Sequence, residues 1–98
     1  MRKIEKEMIK AIIDRRDWKK DNTRVHFTCT GLGKVYLHGN HIADSHRNYY
    51  GSIVITPNRE TLAQWPTVTT KSRLRALGVN VTQKAGIISI DGLEVARV

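Results

Sequence analysis

The chain contains one cysteine, Cys29, among 98 residues, which excludes an internal disulfide. No apolar run approaches the ~20 residues of a membrane-spanning helix. The opening stretch MRKIEKEMIKAII mixes acids and bases through its apolar positions, unlike the apolar segment of a secretory leader. A chain with these absences is expected in the cytoplasm. There is no internal repeat, low-complexity tract or linker, so a single domain is expected over residues 1–98. A domain of this size buries roughly 60 to 70% of the surface of its unfolded chain. That provides one core and one working surface, with little room for a deep substrate cleft.

Negative charge is also scarce. Nine Asp and Glu stand against seventeen Lys and Arg, a net charge of +8. The imbalance is uneven: no acid occurs between Glu60 and Asp91. Unpaired positive charge raises the local potential and attracts polyanions, so nucleic acid is the first class of partner and an acidic protein surface the second.

Hydrophobic periodicity organises the chain. Ile4, Met8, Ala11 and Ile12 recur at helical spacing, and Ile9 and Ile13 widen the stripe, predicting an amphipathic helix over 3–18. After KKDN the period falls to two. Val25, Phe27 and Cys29 alternate with Arg24, His26 and Thr28 as a half-buried strand, with Cys29 expected in the core. Lys34–His38 and His41–Ser45 flank Gly39-Asn40 as a tight hairpin, and Ile53–Ile55 forms a further strand closed by Pro57. The segment between Pro57 and Pro66 has no clear pattern. A short basic helix follows over 70–77, with Thr69 or Thr70 as its N-cap and Gly78 beyond its end. Val79 and Val81 start another strand, and Asp91-Gly92 joins Ile87–Ile90 to Leu93–Val95. The order predicts an α+β fold with a mostly antiparallel sheet, the N-terminal helix on one face and the short basic helix at an edge. Its core should be built from Ile4, Met8, Ile12, Phe27, Val35, Leu37, Ile53, Ile55, Leu74, Leu77, Ile88 and Ile90.

Leu74 and Leu77 mark the buried side of the short helix. Lys71 and Arg75 share one flank, Arg73 lies on the other, and Ser72 is expected to point outward. A helix presenting these side chains suits contact with phosphates, and Lys84 would stand beside it at the tip of the next hairpin. A second basic group comprises Arg15, Arg16, Lys19 and Lys20, but Asp14, Asp17 and Asp21 are interleaved with it. Trp18, among them, reads as a lid on the core.

No local motif supplies an activated nucleophile with a base and an orienting acid, so no catalytic residue and no enzyme activity is expected. GLGK at 31–34 lacks the spacing of a phosphate loop. His38 and His41 flank a turn closely enough to share an ion. A metal site needs further ligands, and neither His26 nor His46 stands at a defensible spacing, so no metal or cofactor is expected. Tyr49 and Tyr50 lie in a polar loop and are candidate partner contacts.

The stretches KVYLHGNHIAD and TVTTKSRLRALGVNV, with the Trp65 region between them, resemble a family of small accessory proteins of tailed bacteriophages. The resemblance runs from about residue 7 to the end. It implies a protein acting in the host bacterial cytoplasm on nucleic acid or on a host protein, and it brings no activity with it. Mimicry of DNA would require the opposite charge.

Overall fold

The computed structural model describes residues 2–97, which form an α+β fold of two antiparallel sheets and three helices. Helix α1 (Lys3–Ile13) opens the chain. Strands β1 (Trp18–Lys20), β2 (Thr23–Phe27), β3 (Gly33–Leu37), β4 (Asn40–Arg47) and β5 (Ile53–Pro57) form one sheet in sequence order. Helices α2 (Arg59–Gln64) and α3 (Val68–Ala76) follow, and β6 (Val81–Lys84), β7 (Ile87–Ile90) and β8 (Leu93–Arg97) form a second, smaller sheet. Two helices in succession separate β5 from β6, which explains why the strands divide into two sheets where one was expected. Helix α3 contacts α1, β4 and β6, so it bridges the sheets instead of lying at an edge.

Several boundaries move for local reasons. Helix α1 stops at Ile13, not near Trp18, because Arg15 takes a left-handed φ of 52° and its N–H turns back to Ile12 O. The released segment pairs with β2 as an edge strand, and Asp21-Asn22 makes the turn between them. In the next hairpin the turn residues are His38 and Gly39, one position earlier than expected. Both have positive φ, as a type I′ turn requires, and Leu37 pairs with Asn40. Asp91-Gly92 turns as its residue types predict. Strand β2 ends at Phe27, where Thr28–Gly31 form a turn, so Cys29 is exposed and not a core residue. Helix α3 begins two residues earlier than expected. Its N-cap is Thr67, whose hydroxyl accepts from Thr70 N–H at 3.0 Å. The unassigned segment contains α2, capped by Asn58 Oδ1, which accepts from Thr61 N–H at 3.1 Å.

The core joins Met8 and Ile12 of α1, Val25, Val35 and Leu37 of the larger sheet, Leu74 of α3, and Val81, Ile88 and Ile90 of the smaller one. Ile4, Phe27, Ile53, Ile55 and Leu77 are half-buried at its margin. Leu62 of α2 and Ile42 of β4 are fully buried additions. Ile42 is inserted by a bulge, since Tyr36 pairs with His41 and Val35 with Ala43.

A charged pair crosses this core. Arg73, only 3% exposed, donates from Nη1 to Glu5 Oε2 at 2.8 Å and from Nε to Thr23 Oγ1 at 3.1 Å. Ser72 donates to the same Glu5 oxygen at 2.6 Å, and the Arg2 N–H reaches the other at 3.4 Å. Among the described residues no buried side-chain polar atom lacks a partner. Burial pushes the Glu5 carboxyl up, but the bonds from Ser72, Arg73 and Arg2 and the guanidinium charge outweigh it, leaving the group below its ordinary range.

Replacing Glu5 with Leu strands the Arg73 charge, and we expect unfolding in urea at pH 7 to show a loss of roughly 3–5 kcal/mol. A carboxylate with a depressed folded pKa contributes fully above its unfolded value, here 4.5, and its contribution fades as pH falls through the lowered folded one. The gap between wild type and Glu5→Leu should therefore narrow as pH falls below 4.5. A gap independent of pH would show that the Glu5 charge contributes nothing.

Candidate functional site

The two basic groups anticipated from sequence are rearranged by folding. On α3, Arg73 is buried against Glu5 and is no surface group, while Ser72, half-buried, gives its hydroxyl to the same carboxylate where it was expected to point outward. The helical wheel could not reveal that Glu5 waits opposite to pair the buried guanidinium. Lys71 and Arg75 remain at the surface and reach across to the smaller sheet. Lys71 Nζ donates to Gln83 Oε1, and Arg75 Nε donates to Val81 O at 2.8 Å. Lys84 is exposed near the Ala85-Gly86 turn. The hairpin beside the helix therefore exists, but two of the helix's cations are spent in fastening it.

The second group is divided as well. Arg15 and Arg16 are exposed in the turn that ends α1, while Lys20 faces the helix and meets Glu7 at 2.9 Å. Lys19 alternates to the opposite face of the sheet. Trp18 points inward and packs against the core.

That opposite face was not assembled by sequence reasoning. Helices cover only the inner face of the five-stranded sheet, where Val25, Val35 and Leu37 lie. Outward-facing residues fall into rows set by strand register. Lys19 pairs with Arg24, Arg24 with Tyr36 and Tyr36 with His41. The next row on this face is His26, Lys34, Asp44 and Thr56, followed by His46 with Val54. Within the first row Arg24 Cζ lies 5.8 Å from the Tyr36 ring centroid, and the His41 ring, tilted by 39°, is centred 5.4 Å from the same tyrosine. An open depression of ≈ 450 Å³ at its end is lined by Lys19, Asp21, Arg24, Tyr36 and His38 among others. The carboxylate within these rows, Asp44, is engaged by His41 Nε2 at 2.7 Å. Asp17 borders the face. The Phe27 N–H, at 2.8 Å, and the His26 ring, at 3.2 Å, hold its carboxyl below the usual range. Two acids are thereby occupied, while Lys19, Arg24 and Lys34 keep their charge facing solvent.

The histidines diverge. His38 meets Asn22 at 3.3 Å, whereas His41 turns to Asp44. Among the described residues no three His, Cys, Asp or Glu side chains gather as a metal site. No helix among the described residues is long and apolar enough to cross a membrane. The alternation of Arg24, His26, Lys34 and Tyr36 was the available signal for the basic face, but only register shows which of them stand side by side.

The family model described as Kyanoviridae Gp96 protein matches residues 1–97, and the chain belongs to this family of cyanophage proteins. No curated protein and no solved structure matches it significantly.

Removing the two cations that fasten the hairpin, in Lys71→Ala/Arg75→Ala, should speed amide exchange across Val81–Lys84 while lowering global stability by no more than roughly 1.5 kcal/mol per bond. Unchanged exchange there would mean that the bonds do not hold β6.

Proposed function

We propose that this cyanophage protein binds nucleic acid, mainly through the phosphate backbone, on the open face of its five-stranded sheet. The observation that carries this reading is the register row Lys19, Arg24, Tyr36 and His41, two cations beside a tilted pair of rings. Lysine and arginine neutralise phosphates and release their counterions, and an aromatic side chain on a sheet offers a base a stacking surface. Single strands suit a shallow face of this kind better than a duplex, because their bases are free to stack. Of the acids nearest the row, Asp44 and Asp17 make hydrogen bonds within the protein, and Asp21 shares the lining of the depression with Lys19 and Arg24. Little base-edge readout is expected from side chains that reach mainly for phosphates.

The protein acts by binding and without catalysis, in the host cytoplasm. Lys71, Arg75 and Lys84 lie on the helix side of the sheet and make at most a secondary contact zone, as do Arg15 and Arg16 at the end of α1. The alternative, an accessory protein docking on a host protein, has one observation in its favour. Edge strand β5 carries no charge and borders an apolar groove of ≈ 220 Å³ that includes Ile9, Ile13, Ile53 and Ile55.

Fluorescence anisotropy with labelled single-stranded DNA across a salt series tests the reading. Binding should weaken steeply with salt, and Lys19→Gln/Arg24→Gln/Lys34→Gln should flatten the slope by up to about 0.7 for each phosphate left without its cation. Replacing Lys71, Arg75 and Lys84 with Gln should do less. If wild type binds no nucleic acid but captures a host protein resistant to nuclease, the alternative replaces it.

A further inference from the structure

The loop between β4 and β5 presents the two most exposed large side chains among the described residues: Tyr49 is 97% and Tyr50 87% exposed. Neither contributes to the core. Their rings are 5.4 Å apart and nearly perpendicular. The backbone beneath them is held on several sides. Asn48 Oδ1 accepts from both Tyr50 N–H and Ser52 N–H at 3.0 Å. Asn48 N–H donates to Ser52 O at 2.9 Å and Gly51 N–H to Asn48 O at 3.0 Å. Arg47 completes the support, donating from Nη1 to Gly51 O and from Nη2 to Ile13 O, both at 2.9 Å. One guanidinium thus fastens the loop to the end of α1, where Arg15 and Arg16 are exposed.

A loop needing only to connect two strands would use polar residues at its tip. Here a braced turn presents two aromatic rings to water, and the cost of ordering its backbone is met before any partner arrives. The charged neighbours decide which partner fits. Arg47 lies beneath the turn and ties it to Ile13 O, and Arg15 and Arg16 are exposed two and three residues beyond Ile13, with His46 one residue before Arg47 on the outer sheet face. Aromatic rings flanked by cations suit unpaired bases joined by phosphates.

We propose that Tyr49 and Tyr50 are a base-stacking post for single-stranded nucleic acid, with Arg15 and Arg16 taking the adjoining phosphates. This rests on the nucleic-acid reading and extends its track. The strand would run from Lys19 and Arg24 past Lys34 and His46 to the tip, a path of about eight residue steps, or roughly 25 Å along the strands.

The probe is a labelled oligothymidylate of about 12 nucleotides, set beside a duplex and an abasic chain of equal length. Tyr49→Ser/Tyr50→Ser should retain the wild-type melting temperature, because the rings bury nothing. It should bind oligothymidylate roughly ten- to a hundredfold more weakly, with unchanged salt slope and unchanged affinity for the abasic chain. Tyr49→Phe/Tyr50→Phe should bind as wild type. Weakening by the serine pair but not by Lys19→Gln/Arg24→Gln/Lys34→Gln would leave the post standing and remove the sheet face. The converse would remove the post alone, as would equal wild-type affinity for abasic and base-bearing chains. Absence of any wild-type binding would remove both.

Discussion

A guanidinium in the core governs the inner half of this molecule. Arg73 carries its charge into the interior, where it needs acceptors in place of water, and Glu5 and Thr23 supply them from two other elements. The bonds therefore set the rotation of α3 about its axis and its height against α1. Desolvation makes such a pair a poor source of net stability, yet expensive to break. Its value here is geometric. With Arg73 turned inward, Arg75 and Lys71 necessarily face the smaller sheet, and the hairpin β6–β7 is held where they reach it.

The working surfaces follow from the same arrangement. Because α1 and α3 occupy one side of the larger sheet, its other side remains open and collects every second residue of five strands. Folding thus separates the cations by task. Arg73, Arg75, Lys71 and Lys20 join elements to one another, whereas Lys19, Arg24 and Lys34 lie on the open sheet face, Lys34 directly across from Asp44. Net charge alone would have weighted all of them equally.

This separation also marks how far the sequence could be read. Helical spacing of Met8, Ala11 and Ile12 and two-residue alternation around Val35 and Leu37 were visible, because each depends on near neighbours. The Asp91-Gly92 turn carried its own chemistry. Helix α2 was missed although Asn58 and Pro66 bracket it, since six residues with one buried leucine display no periodicity. The division into two sheets and the row from Lys19 to His41 depend on pairings between strands, which no single window contains. Arg73 was misplaced for the most instructive reason: its partner lies 68 positions away. An exposed and a buried arginine look alike until that partner is known.

The up-and-down order of the strands has a kinetic corollary. Each strand of either sheet pairs with its immediate neighbour in the chain, and several connections are two-residue turns with positive φ already favoured by glycine. Closures this short take about microseconds, whereas joining residues 5 and 73 must close a far longer loop. We therefore expect hairpins to close before the helices are locked together, with the ion pair forming late. The outer face, laid out by register within those hairpins, would then be set ahead of the charged clasp behind it.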